Sequence, residues 1–340
     1  MSNTSLQYQL LEKGGQFSLV SVPASAPGPN EISIRTKAVG LNGLDWKNRA
    51  FGTMIQAWPA VLGIDAAGIV EAVGDAVQGF QVGDEVFSLA GMEAKAGAFQ
   101  EIYTVPAHFV TMKPAALTFE EAASLPIVTM TAAAAVTVGL HLPLPHLDPD
   151  SVSKYKLESI LVLGGSSGIG AAAIQYLRLA LPGATILTTS SKQHHKRLLF
   201  LGATQCFERS AQEDTAAMTA ATPGSAGVDA ILDVVGAAAH QPAVFTALNP
   251  GGSQLYSQVV TGQNVNVPHG VNGTAVFGRQ IFGTNGGQAV LQGLVRLFES
   301  GQFKLPTNVE VVGKGFEAIQ PSLERLMKDG VSGNKFVVSV

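Results

Sequence analysis

The sequence predicts an α/β protein in two parts: a β-rich barrel and a doubly wound parallel-sheet domain. Three observations carry this. The first 125 residues are rich in Val, Gly and Pro and read mostly as strands and turns. From Ser159 onward, short apolar strands alternate with helical patterns, as in a parallel sheet wrapped by helices. At the head of that second part, the apolar run Ile160–Leu163 ends in a glycine-rich turn. A helical pattern follows at once, with Ala171, Ala172, Ile174, Leu177 and Leu181.

In chain order, Glu31–Val39 alternates as a half-buried strand, and Gly68–Gly74 reads as another. Gln81–Phe87 sets a Gly-Asp turn before a strand. A helical pattern opens at Phe119 and continues through Thr131–Ala135. Pro143, Pro145 and Pro149 make 143–158 a surface loop. Thr185–Ser190 is the second strand of a βαβ unit, Ala203–Phe207 a short strand, and Val228–Gly236 a later parallel strand. Asn249–Gly252 is a turn leading into a strand through Ser257. Residues 261–275 read as a mobile loop. Helices around Gln288–Glu299 and Phe316–Lys328 precede a closing strand, Lys335–Val340.

The turn after Leu163 is where chemistry enters. Strand, glycine-rich turn and helix start together form the setting of a dinucleotide-phosphate site. Glycines let backbone approach pyrophosphate, and the helix start offers N–H groups and a positive dipole end. The expected phosphate contacts are Gly165, Ser166, Ser167, Gly168 and Ile169, with Ser167 standing where the usual pattern has its central glycine. An NAD site carries an acidic residue about 20 positions further on, for the ribose 2′-hydroxyl. No acidic residue occurs between Glu158 and Glu208. Ser190, Ser191, Lys192, His194, His195, Lys196 and Arg197 stand there instead, and hydroxyls and cations suit a 2′-phosphate. Ser190, Ser191 and Lys192 are read as contacts to NADPH, and Lys196 and Arg197 as the solvated face of the next helix.

Composition bounds the rest. The 340 residues are 46% hydrophobic and 14% charged, with a net charge of -4 and no basic run. That describes a well-buried globular protein and disfavours nucleic acid or an anionic membrane as partner. No signal peptide and no membrane span of about 18 uncharged apolar residues is read, so a cytoplasmic setting is expected. The single cysteine, Cys206, excludes an internal disulfide and reads as a packed thiol.

These residues resemble the medium-chain dehydrogenase/reductase superfamily, in its zinc-independent quinone oxidoreductase and enoyl reductase branch. The matching segments are Ala38–Lys47, Leu62–Gly68, Val82–Val86, Gly97–Glu101, the turn at 164–170, Leu201–Ala203, Val228–Gly236 and Ser332–Lys335. The resemblance implies a GroES-like barrel of residues 1–125 with 276–340, and a Rossmann domain of residues 126–275. Zinc members carry Cys-His at the place of Asn42-Gly43 and Gly-His-Glu at Gly63-Ile64-Asp65, so no metal is expected. It also places Leu44, Asp45 and Lys47 beside the nicotinamide ribose. Lys47 is the first candidate to stabilise developing negative charge, and it also occurs in fungal trans-acting enoyl reductases. A surface lysine on a short helix is the alternative. Thr131 is set against the nicotinamide, although a capping role for Thr129 or Thr131 is equally open. Asn42, at the lost ligand position, is a candidate hydrogen-bond donor. Trp46 replaces the Tyr of several quinone reductases. Arg209 stands where NADP-dependent relatives have a Tyr, and Ser257 and Gln258 align with nicotinamide-side contacts. Trp46, Phe51, Trp58, Met92, the helix of the 130s and Phe277–Phe282 would line an apolar pocket.

The implied activity is metal-independent hydride transfer from NADPH to an activated C=C bond or a quinone. The substrate is apolar, free or carrier-tethered, and the enzyme a possible homodimer. A redox-neutral isomerase or polyketide-tailoring enzyme, or a non-catalytic NADPH-binding protein, are the competing readings.

Overall fold

The computed structural model describes residues 4–91 and 93–340, so the pocket candidate Met92 lies outside the described residues. The chain forms two compact units, Met1–Ile127 with Asn308–Val340, and Val128–Thr307.

In the first unit, β1 (Thr4–Leu10) and β2 (Phe17–Pro23) form an antiparallel hairpin, and β3 (Glu31–Gly40) leads to helix α1 (Gly43–Phe51). Next come β4 (Ala60–Val61), β5 (Asp65–Val73), β6 (Glu85–Leu89), β7 (Ile102–Pro106) and β8 (Val110–Met112). The Gly-Asp turn forms as expected: Gly83 takes φ +95°, and Asp84 accepts from the Gln81 N–H at 2.8 Å before β6 begins. Alternation along the strands turns Ile32, Ile34, Val86, Tyr103 and Val105 into a core with Tyr8, Phe17 and Phe99.

The helical run expected from Phe119 is broken. α2 (Phe119–Ala123) ends, and α3 (Pro126–Ala134) restarts at a proline, whose missing N–H is harmless only at a helix start. Thr118 and Glu121 cap α2 reciprocally. A π-helical turn, Ala135–Gly139, follows α3. Among the described residues, only Phe119–Gly139 is long and apolar enough to cross a membrane. Of its most apolar 18-residue window, 83% is buried inside the protein, as in a core helix.

The second unit holds β9 (Ser159–Leu163), α4 (Gly168–Ala180), β10 (Thr185–Thr189), α5 (His195–Phe200), β11 (Gln205–Phe207) and α6 (Ala216–Ala220). β12 (Ala230–Asp233), β13 (Leu255–Val259), β14 (Asn272–Val276) and α7 (Val290–Glu299) complete it. All six strands are parallel, in the order β11-β10-β9-β12-β13-β14. The order reverses between β9 and β12, and doubly wound sheets bind ligands at the strand C-termini of such a switch point. β9 is buried along its whole length, as a strand covered on both faces must be.

Two expectations change here. Part of the expected 261–275 loop is strand β14, with Gly273 opposite Tyr256; its short, polar sequence gave no strand signal. The chain also returns to the first unit at Asn308, not 276, because β14 and the buried Val290, Leu291, Leu294 and Leu297 of α7 belong to the second. After the return, β15 (Asn308–Lys314), α8 (Ile319–Asp329) and β16 (Asn334–Ser339) follow. β16 pairs antiparallel with β3, opposing Val338 to Val39, and parallel with β15, which it joins to the seven-stranded sheet.

Candidate cofactor site and buried ion cluster

The glycine-rich turn is built to a tight tolerance. Gly164 takes φ +83°, a conformation that favours glycine. A Cβ on Gly165 would stand 2.0 Å from Thr188 Oγ1, and one on Gly170 would stand 2.4 Å from the Gly164 carbonyl oxygen. Ser167 is no defect in the pattern. It is the N-cap of α4: its Oγ accepts from the Gly170 N–H at 3.1 Å and donates to the Gly164 carbonyl at 2.8 Å. Helix geometry leaves the N–H groups of Gly168 and Ile169 without partners inside the helix. The turn, Gly165 to Ile169, thus presents backbone N–H groups at a helix start.

Beyond β10, the polar residues differ in burial and in hydrogen bonding. Ser190 is buried; its N–H donates to the Phe207 carbonyl and its hydroxyl to the Ser191 carbonyl. Ser191 is half-buried and Lys192 exposed. The His194 imidazole is held below its ordinary value by burial and by the positive charges of Arg209, His195 and Arg197. Arg209, exposed after β11, lies close enough to help keep the His194 ring neutral. Arg197 lies deeper than the solvated face expected for it. It donates to the Pro306 and Leu305 carbonyls at 3.2 and 2.6 Å. Cys206 is half-buried, and burial pushes its thiol up to about 11, where it is unreactive.

Elsewhere in this unit, Thr131 is buried on α3 and packs beside Gly278: a Cβ there would meet Thr131 Oγ1 at 2.5 Å. Ser257 faces inward, contrary to its expected cofactor contact. It is fully buried and donates to the Ala135 carbonyl at 3.0 Å, bracing the π-helical turn. Gln258 is half-buried and donates to the Gln263 carbonyl.

The first unit contains a buried ion cluster. Lys335, the second residue of β16, is 7% exposed, and Asp65, opening β5, is 0% exposed. The Lys335 ammonium donates to Asp65 Oδ2 at 2.7 Å and to Asn42 Oδ1 at 2.6 Å. The Asn42 amide donates to Asp65 Oδ2 at 2.9 Å and to the Gly40 carbonyl at 3.2 Å. Asp65 Oδ1 accepts from the Ile127 N–H at 2.7 Å, near the start of α3. Both amide hydrogens of Asn42 are used within the cluster, so the donor role expected of it is corrected to a holding one. Asp45 is also buried. It accepts from the Asn42 N–H at 2.8 Å, and burial, reinforced by the Asp65 charge, pushes its carboxyl up to about 7. At 1% exposure it braces the backbone and cannot reach a cofactor.

Lys47, on the same helix, is half-buried with its ammonium 5.5 Å from the Trp46 ring centroid. Leu44 is half-buried beside it in sequence. Trp46 meets Phe51 edge-on at 6.2 Å, and Phe51 and Trp58 are 63% and 39% exposed. Phe277, in the other unit, is also exposed.

Known families fit this architecture. The alcohol dehydrogenase GroES-like domain matches residues 28–115, and the zinc-binding dehydrogenase domain matches 168–300. The dehydrogenase orf1 of Aspergillus niger is 30% identical over 96% of this chain and 97% of its own length. This chain belongs to the medium-chain dehydrogenase/reductase superfamily. The trans-enoyl reductase himH of Aspergillus japonicus is 30% identical over 91% of this chain and 90% of its own. An alcohol dehydrogenase superfamily structure from Novosphingobium aromaticivorans superposes with a TM-score of 0.79 at 26% identity, covering 99% of this chain and 100% of that one. Like other members, the chain is an oxidoreductase of nicotinamide type, and the turn at 164–170 fits such a cofactor.

A zinc centre does not fit the corresponding residues. The oxygens that Asn42 and Asp65 would offer a metal are bonded to an ammonium, and no three Cys, His, Asp or Glu side chains group to hold an ion among the described residues. Sequence reasoning quoted the segments holding Asp65 and Lys335 but missed their pairing. The available signal was a charge near the start of each of two strands that are otherwise largely apolar there.

Proposed function

We propose that this enzyme is an NADPH-dependent, metal-independent reductase of an activated C=C bond, in an enone or enoyl thioester, or of a quinone. The observation that carries the cofactor choice is that no acidic residue occurs between Glu158 and Glu208, while Lys192 and Arg209 are exposed after β10 and β11. Ser191 and Lys192 stand where an NAD site has a carboxylate, with Arg209 assigned beside them, and a 2′-phosphate suits their hydroxyl and cations. The similarity to a fungal protein named trans-enoyl reductase supports the substrate class.

Bound NADPH supplies the hydride. As hydride reaches carbon, negative charge grows on the acceptor's oxygen, and a fixed cation or hydrogen-bond donor lowers that barrier. Lys47 is assigned this role. Thr131 is assigned a hydrogen bond to the carboxamide or the substrate carbonyl. The phosphates are assigned to the turn from Gly165 to Ile169, and the aromatic side chains of Trp46 and Phe51 to apolar substrate contact. Solvent protonates the product, since Trp46 offers no acidic hydroxyl.

The test is Lys47→Ala. Turnover should fall at least tenfold while NADPH affinity stays within about threefold, because the cofactor's phosphate contacts lie elsewhere. Unchanged turnover would remove Lys47 from the chemistry.

A further inference from the structure

We propose that Asp233 is a positioning residue for the dinucleotide: its carboxylate fixes the loop after β12 so that Val235 walls the cofactor groove. This deepens the nucleotide reading above and rests on it. Asp233 ends β12 and is fully buried. Four donors fill its two oxygens. Oδ1 accepts from the Val235 and Ala237 N–H groups at 3.1 and 3.0 Å. Oδ2 accepts from the Ala238 N–H at 2.9 Å and from the Tyr256 hydroxyl at 3.1 Å. A carboxylate persists in a protein interior only when such donors replace water, and directional bonds to three nearby N–H groups leave the loop's backbone little freedom. Tyr256, on the neighbouring strand β13, is itself fully buried and meets Phe245 edge-on at 4.9 Å, which aims its hydroxyl. Burial, with the Asp233 charge adding, holds that hydroxyl above its ordinary value, so it stays a donor.

The loop held in this way lies at the switch point between β9 and β12. The Val234 N–H donates to the carbonyl of Leu163, the last residue of β9, at 3.3 Å. The Val235 side chain covers Gly164: a Cβ there would stand 2.5 Å from Val235 Cγ1. Gly236 turns the chain at φ +70°, and a Cβ on it would stand 2.8 Å from Thr261 Oγ1. Held on these sides, Val235 is still 43% exposed. Its methyls thus offer apolar contact beside the turn assigned to the phosphates. Asp233 has neither exposure nor a vacant oxygen with which to meet the nucleotide, so it acts through Val235.

The experiment is calorimetric titration of NADPH, and separately NADH, into the full chain. Asp233→Asn keeps the shape but sets an amide NH2 against backbone N–H donors. It should weaken both cofactors about tenfold or more and to the same extent, since the residues assigned to the 2′-phosphate lie elsewhere. Val235→Ala should cost roughly fivefold, and adding Asp233→Asn to it only about threefold more, because the side chain being positioned is already gone. Wild-type affinity in Asp233→Asn, a changed preference between the cofactors, or two losses that multiply in full overturn the proposal. In kinetics the loss should sit in KM for NADPH, with kcat at saturating cofactor within about threefold; the reverse split also overturns it. If Asp233→Asn fails to fold, Tyr256→Phe removes one donor of the four. Affinity should then fall roughly two- to fivefold, less in the Val235→Ala background, and an unchanged affinity overturns the proposal. If wild type binds neither nucleotide, the functional reading fails. Amide hydrogen exchange at Val235, Ala237 and Ala238 then decides whether the carboxylate holds the loop: faster exchange in the variants supports it, and unchanged exchange overturns it.

Discussion

Gly165→Ala should cripple cofactor binding while leaving the fold standing. The added methyl would lie 2.0 Å from Thr188 Oγ1, against an ordinary contact of about 3.4 Å, so roughly 1.4 Å must be found. Thr188 cannot yield it. It is fully buried in β10, and its hydroxyl donates to the Val162 carbonyl at 2.8 Å. Ile174 Cδ1 closes the other side at 3.3 Å. The turn itself must therefore shift, carrying the Ser166 to Ile169 backbone away from the phosphates. Overpacking of this kind costs about 1–3 kcal/mol. If most of it falls on the bound state, NADPH affinity drops roughly 10- to 100-fold, at about 1.4 kcal/mol per decade. Isothermal titration of NADPH into both proteins measures this. Adding Thr188→Ala removes the clashing hydroxyl, and the double variant should bind better than Gly165→Ala alone. Wild-type affinity in Gly165→Ala, or no rescue by the second change, would refute the placement of the phosphates in this turn.

Lys192→Ala with Arg209→Ala should raise KM for NADPH at least tenfold and leave KM for NADH nearly unchanged, as steady-state kinetics with each cofactor will show. Burial depresses His146 to about 4, with Arg296 adding to the shift, and both ring nitrogens lack hydrogen-bond partners as it stacks on Tyr176. Between pH 6.5 and 4 the unfolded state binds the extra proton, so stability is full above 6.5 and falls by roughly 3 kcal/mol at most as pH drops to 4. Urea midpoints at pH 7 and pH 5 should differ less in His146→Phe than in wild type. Asp45 works in the opposite sense. Its folded carboxyl titrates near 7 against 3.8 unfolded, so its contribution is full below 3.8 and is lost as pH rises through 7. Asp45→Asn should therefore gain stability relative to wild type between pH 4 and 7, which the same urea series reads.

Much of this fold is legible in the sequence because its signals are local. β9, the turn and α4 announce themselves by an apolar run, glycines and a 3.6-residue period, and Ser159–Leu163 forms as read. β14 and β15 escape such reading. Asn272–Val276 and Asn308–Lys314 are short or half-exposed, and they exist because neighbouring strands supply hydrogen bonds. The site divides in the same way. Gly165 to Ile169 stand out by type and spacing, and the structure puts them at a helix start. The inward turn of Ser257 and the burial of Asp45 depend on packing from distant segments, so residue type alone misassigns them. The Asp65–Lys335 pair spans 270 positions, and no local pattern links its two members.

With the proposed chemistry, NADPH reduces an activated acceptor on this chain without added metal. The most direct measurement follows NADPH and NADH consumption by the chelator-treated enzyme, with an α,β-unsaturated thioester and with a quinone. Oxidation of NADPH by at least one acceptor is expected, with kcat/KM at least tenfold above NADH. Saturable NADPH binding with no oxidation by either acceptor, or turnover that appears only when zinc is restored, would contradict it.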